Sequence, residues 1–190
     1  GVLHLAELTD DDAEHSERCA HLALSLYDQL AEWHGLDESR RELLEAAALL
    51  ANVGLFISHS GHHKHSYYVI RNSEHLTGFT DAEIEVIAQV ARYHRKSPPK
   101  AKHDAFAALD ETDQHVVRVL AGILRVAIGL DRAHRGSVGS VSCREDGDAV
   151  VITVEASEGA DTTVEVWSAD ERKALLAEVL DRPVDVVSAS

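Results

Sequence analysis

The chain predicts a mostly α protein: a helical domain over residues 1–136, then a small α+β domain over 137–190 with three or four strands and one helix. Three observations carry that prediction. Apolar residues up to about residue 130 recur three and four apart, the period of a helix with one face turned inward. Past Gly136 the pattern changes to alternation and to β-branched runs, AVVITVEA at 149–156 and TTVEVW at 162–167. Aromatic residues are only 5% of a chain that is 45% hydrophobic, so the core must be built from Leu, Val, Ile and Ala.

The helices follow in order. Thr9-Asp10-Asp11-Asp12 opens the first, with carboxylates at the positive end of the macrodipole. Cys19, Leu22, Leu26, Leu30 and Trp33 keep helical step, His15 falls on the same stripe, and Gly35 ends the run. A second helix extends from about Asp37 to Val53, with Leu43, Ala47, Leu50 and Ala51 inward, and stops near Gly54. His65 to Asn72 reads as a short helix with Val69 inward. Thr80-Asp81-Ala82-Glu83 is a capping box ahead of Ile84, Ile87, Ala88 and Ala91. That helix carries into Arg92-Tyr93-His94-Arg95-Lys96, and Pro98-Pro99 stops it. The next spans about Glu111 to Gly129, with Val116, Leu120, Ile123 and Ala127 on one face and Asp131 as the following step. Arg118, Arg125 and Arg132 repeat every seven residues on another face. In the tail, 138–143 alternate and Asp146-Gly147 marks a hairpin turn. Residues 162–167 read as a strand, Ser168-Ala169-Asp170-Glu171 opens a helix to about Leu180, and Pro183 leads into a last strand, Val184 to Val187.

Composition narrows the partners. No stretch approaches the roughly 18 apolar residues of a membrane span. Cys19 and Cys143 match no metal or redox spacing, and two reduced thiols fit a cytoplasmic protein. The net charge of −15 is unevenly spread: residues 1–58 are net −9, 59–103 net +3, 104–136 net −1 and 137–190 net −8. The positive segment also holds 7 of the 13 histidines. Such a chain lacks the long basic face that duplex nucleic acid requires, whereas a small polyanion held at one place suits it.

Two constellations could carry chemistry. His15, His65, His94 and Asp131 lie on or beside the inward stripes of different helices, an arrangement that would suit a divalent ion and suggests an HD-type metal phosphohydrolase fold. The adjacent His-Asp pair that defines such a site would fall in LLANVG, where the residues are Ala51 and Asn52. Alanine offers no ligand atom, and a neutral amide is a poor partner for a hard cation. No metal is therefore expected at the degenerate positions His15, Ala51, Asn52 and Asp131, and no cofactor in this chain. The second constellation is cationic: His62, His63, Lys64, His65, Arg71, Arg92, His94, Arg95, Lys96 and Arg132 could converge on an anion. Guanidinium forks grip phosphate oxygens in pairs, and Gly61 lets backbone amides approach. No Gly-x-Ser-x-Gly elbow and no glycine-rich phosphate loop appears, so nothing proposes a covalent mechanism.

HSGHHKHS at 59–66, with the LLANVG helix end before it and VARYHRK at 90–96, resembles the C-terminal region of the Ppx/GppA phosphatases, the exopolyphosphatases and guanosine pentaphosphate phosphatases. GLDRAHRG at 129–136 resembles a later helix end of that family, and GVLHLAE at 1–7 the segment that precedes its helical domain. The resemblance implies a degenerate HD-like domain that docks on N-terminal actin-like catalytic domains and helps to form a basic channel for phosphate chains. Matched by position, that role falls to His62, Lys64, His65, Arg92, His94, Arg95 and Lys96. It further implies polyphosphate or a guanosine polyphosphate as ligand, Mg²⁺ for the parent enzyme, a homodimer and a cytoplasmic location. The chain alone is expected to bind and not to catalyse. The rivals are a surviving metal-dependent HD phosphohydrolase and a non-catalytic dimerisation or docking domain.

Overall fold

The computed structural model describes residues 1–190. Ten helices and three strands run in the order α1 (Val2–Thr9), α2 (Ala13–Gln29), α3 (Ala31–His34), α4 (Glu38–Leu50), α5 (His62–Arg71), α6 (Asp81–Arg92), α7 (Asp104–Ala107), α8 (Glu111–Gly129), β1 (Val138–Asp146), β2 (Ala149–Ala156), α9 (Thr163–Glu171), α10 (Ala174–Leu180) and β3 (Val184–Ser188), with a 3₁₀ turn at Val53–Phe56. The chain is mostly α with a small α+β part, as its sequence predicts. No helix is long and apolar enough to cross a membrane.

The helical part is a bundle around α8. Val117, Leu120, Ile123, Leu124 and Ala127 of α8 are wholly buried against α2, α4 and α6. Leu26 and Leu30 of the α2 stripe and Leu44, Ala47 and Leu50 of α4 share that core. Truncating any of these leucines to alanine would cost about 2–5 kcal/mol. Helix starts are set by side chains that accept orphan amides: Asp12 from His15, Asp110 from Asp113, and Thr80 with Glu83 as the reciprocal box.

Some segments differ from expectation. The first long helix breaks at Leu30, because the His34 ring donates to the Tyr27 carbonyl (2.8 Å) and accepts the Leu36 amide (3.0 Å), so that α3 is a separate turn. Helix α5 begins at His62, three residues earlier than predicted, and turns His62, Ser66 and Ile70 inward while Val69 is only half-buried. Helix α6 stops at Arg92, so Tyr93 to Lys96 form a turn, with Lys96 at φ +63°.

The largest correction is at 162–167, where a helix, α9, stands in place of the predicted strand, and the Ser168 box opens no helix of its own. Asp161 accepts both the amide (2.8 Å) and hydroxyl (2.6 Å) of Thr163 and starts the turn. Glu165, Ser168 and Ala169 then face inward at helical spacing. A Cβ on Gly129 would lie 2.8 Å from the Ala169 backbone, so α8 and α9 cross at near backbone contact. This packing overrides the β propensity of Thr, Val and Trp. The tail therefore holds three strands and two helices. β1 and β2 form the antiparallel hairpin, and β3 returns through α9 and α10 to lie parallel to β2.

Candidate functional site

The HSGHHKHS stretch is placed by one close contact. A Cβ on Gly54 would meet the His62 carbonyl at 2.1 Å and the Ser66 amide at 2.4 Å, so only glycine lets the 3₁₀ turn touch α5. Ser66 locks the contact, accepting from the Gly54 amide (2.9 Å) and donating to the Ala51 carbonyl (2.7 Å). Gly61, at φ +65°, then turns the chain into α5, and the His63 amide at its first turn has no backbone acceptor.

Between this turn and the α6–α7 connection lies an open groove of about 650 Å³, lined by His59, Ser60, Gly61, His63, Lys64, Arg92, Tyr93, Arg95, Lys96, Ser97 and His103. It contains no carboxylate. In a chain with 33 acidic and 18 basic side chains, eight of the Lys and Arg residues make salt bridges, whereas Lys64, Arg92, Arg95 and Lys96 make none. The wall that carries three of them is pinned by Arg125 of α8, whose guanidinium donates to the carbonyls of Tyr93 (2.7 Å), Arg95 (3.3 Å), Lys96 (2.9 Å) and Ser97 (3.1 Å). Burial, and then the charge of Arg172, pushes the Arg125 guanidinium down to about 10. Burial and the neighbouring Arg95 charge likewise push His63 down to about 4.

A second cavity, of about 520 Å³, adjoins the first and shares His59 and Arg95 with it. His15, Asn52, His62, His94, Arg132, His134 and Arg172 are among its lining residues. The proton positions on its histidine pair follow from their partners. Arg95 can only donate, so His62 Nδ1 accepts from it (2.7 Å). The Ala91 carbonyl can only accept, so His94 Nδ1 donates to it (2.5 Å). His62 Nε2–H must then donate to His94 Nε2 (3.2 Å). Burial is the main force on both rings, lowering His62 below its ordinary value and His94 to about 3. Both are neutral, and neither has a free lone pair.

His15 and Asp131 do meet, with Nδ1 of the ring 2.6 Å from the carboxylate. Burial pushes the Asp131 carboxyl up, but hydrogen bonds from His15, the Gly136 amide (3.0 Å) and Arg18 (3.0 Å) outweigh it and hold the group below the usual carboxylate range. His134 stacks on His15 with centroids 3.5 Å apart and pairs with Asp12 (2.6 Å). Donor atoms of His15, Cys19 and Asp131 lie within 4.8 Å of one another. That set does not fit a divalent cation: a guanidinium already sits on the carboxylate, and burial pushes the Cys19 thiol far up, away from the thiolate a metal needs. Asn52, just past α4, offers the cavity a neutral amide, while Asp10, Asp11 and Asp12 line its rim.

The residues named from sequence are thus divided. His63, Lys64, Arg92, Arg95 and Lys96 line the groove, while His62, His94 and Arg132 line the second cavity. His65 lines neither, so the metal set of His15, His65, His94 and Asp131 is not assembled; His62 stands beside His94 instead. Arg71 faces Asp81 (2.8 Å) and Glu85 (3.5 Å), away from both cavities. Sequence reasoning missed Arg172, which follows the Ser168–Glu171 box in a segment read as one helix to about Leu180, and His103, which accepts the Tyr93 hydroxyl (2.7 Å).

A family profile described as Ppx/GppA phosphatase, domain III, matches residues 1–172. The chain belongs to the Ppx/GppA phosphatase family. A guanosine-5'-triphosphate,3'-diphosphate pyrophosphatase of Pseudoalteromonas translucida is 34% identical over 118 residues, 62% of this chain and 23% of the relative. One of Aeromonas hydrophila subsp. hydrophila is 32% identical over 148 residues, 75% of this chain and 28% of the relative. The chain therefore spans about a quarter of the length of these relatives, and within the Ppx/GppA family it corresponds to domain III.

Proposed function

We propose that this domain III binds the phosphates of inorganic polyphosphate or of a guanosine polyphosphate in the groove and presents them for hydrolysis by the family's N-terminal actin-like domains. The observation that carries the reading is the convergence of Lys64, Arg92, Arg95 and Lys96, unpaired, on one carboxylate-free groove in a chain of net charge −15. Four like charges gathered on one carboxylate-free surface raise the local potential that attracts a polyanion, and guanidinium forks suit phosphate oxygens. The names of the relatives support the guanosine polyphosphate as one candidate ligand. The parent enzyme would supply the catalytic carboxylate and any Mg²⁺, work in the cytoplasm and pair as a homodimer.

Titration of this chain with polyphosphate tests the reading. Binding is expected at low salt, weakened on the order of tenfold or more between 50 and 200 mM salt because several cations are neutralised. Lys64→Ala with Lys96→Ala should abolish most of it. Absence of binding at low salt, or binding indifferent to those two lysines, would remove the substrate role.

A docking role for another face has its own observation. Leu8 of α1 and Phe56 and Ile57 of the 3₁₀ turn are 55%, 70% and 49% exposed, on elements that touch each other. This apolar face would seat against the N-terminal domains of the parent protein. Appending this chain to those domains should protect these residues from hydrogen exchange, and unchanged exchange would count against the seat.

A further inference from the structure

The chain holds four tyrosines, and three of them are anchored. Tyr27 donates to the Asp37 carbonyl (2.5 Å), Tyr67 to the Glu85 carboxylate (3.0 Å) and Tyr93 to His103 (2.7 Å). Tyr68 differs from them. It is 62% exposed, its hydroxyl has no acceptor within the fold, and its ring has no aromatic neighbour. A large ring left in water forgoes the burial and stacking that favour an aromatic side chain.

Tyr68 lies one turn along α5 from Lys64, a cation of the groove. Residues four apart share a helix face and are separated by about 6 Å along the axis. Long side chains on a helix lean back toward the preceding turn, so the free ring leans toward Lys64 and the end of the groove. In a nucleotide, the sugar sets the base a comparable length from its phosphate.

The surroundings of the ring select the kind of partner. Arg71, one turn further on, is held by Asp81 (2.8 Å) and Glu85 (3.5 Å), and the Asn72 side-chain amide donates to the Tyr68 carbonyl (2.9 Å). With Lys64 on its other side, Tyr68 is one apolar plate inside a polar border. A protein partner would seat on a contiguous apolar patch, whereas a flat ring with polar edges fits a single plate.

We propose that Tyr68 is the stacking platform for the guanine base of a guanosine polyphosphate whose phosphates lie on Lys64 and the other cations of the groove. The platform rests on the groove reading and deepens it. The groove itself holds phosphates and does not tell a nucleotide from an inorganic chain: it has no carboxylate, and its tyrosine, Tyr93, is buried and stacked with His103. Tyr68 makes that distinction, because every base has a face to stack and a bare phosphate chain has none.

Calorimetric titrations with guanosine 5'-triphosphate 3'-diphosphate and with inorganic tripolyphosphate, both at low salt, test it. Tyr68→Ala should weaken nucleotide binding about tenfold and leave tripolyphosphate binding unchanged. Tyr68→Phe keeps the ring and should bind both ligands as the unaltered chain does. Lys64→Ala with Lys96→Ala should weaken both. In NMR spectra of the unaltered chain, the ring protons of Tyr68 should move upfield under the ring current of the base and stay in place with tripolyphosphate. If Tyr68→Ala binds the nucleotide as tightly as the unaltered chain, or the ring protons do not move, the platform is wrong, and the groove stands on its tripolyphosphate binding. If neither ligand binds the unaltered chain, both readings fall.

Discussion

Replacing Arg125 with alanine is the perturbation with the most to say about the groove. Its side chain spans from α8 to the Tyr93–Ser97 turn and donates to four carbonyls, two of them at 2.7 and 2.9 Å. Hydrogen bonds from a charged donor contribute roughly 1.5–3 kcal/mol each. The Lys96 and Ser97 carbonyls are exposed and regain water, so only part of that sum is lost, and about 3 kcal/mol of destabilisation is expected. For a domain of this size that corresponds to a drop of roughly 6–12 °C in melting temperature. Lys96, held at φ +63°, would relax, and the groove wall would lose its fixed spacing of cations. Thermal melts and polyphosphate titration read the two consequences. Arg125→Lys separates clamp from charge: it keeps the cation but cannot reach four carbonyls, so it should resemble alanine in both assays. Unaltered melting and binding in Arg125→Ala would refute the clamp. A lysine variant that binds normally would show that charge alone matters.

Gly54→Ala should destabilise by 3 kcal/mol or more, because the added methyl meets backbone at 2.1 and 2.4 Å and neither helix end can yield cheaply; urea unfolding checks it, and a change under 1 kcal/mol would contradict the contact. Stability should fall with acidification on account of His94. Its folded pKa of about 3 lies below the unfolded value of about 6.5, so the unfolded chain binds the proton first; on the order of 2 kcal/mol is lost between pH 6.5 and pH 5, and the loss continues toward pH 3. Denaturant midpoints against pH should show that slope, and His94→Gln should flatten it.

How much of this could be read from the residues varies with the physics involved. The bundle was legible because α8, α4 and α6 announce themselves by period and by caps, and Glu111–Gly129 matches its predicted bounds. The β-branched run at 162–167 misled because the decisive fact, the close approach of Ala169 to Gly129, is a tertiary one. Lys64, Arg92, Arg95 and Lys96 were found as a cluster since they flank two breaks in neighbouring elements. That His62 rather than His65 would stand beside His94 depended on where α5 starts, a matter of one turn, and helix ends are what sequence patterns fix least well. Arg71 looked like its neighbours in sequence but carries its own acids, Asp81 and Glu85, which only the fold brings to it.

The central claim, that the unpaired cations of the groove hold phosphate, is tested most directly by residue-resolved NMR titration of this 20.7 kDa chain with tripolyphosphate. Saturable shifts should be confined to the amides of Gly61 to Lys64 and of Arg92 to Ser97, with the amides of β2 unmoved. Shifts that are absent, or scattered over the surface without saturation, would contradict it.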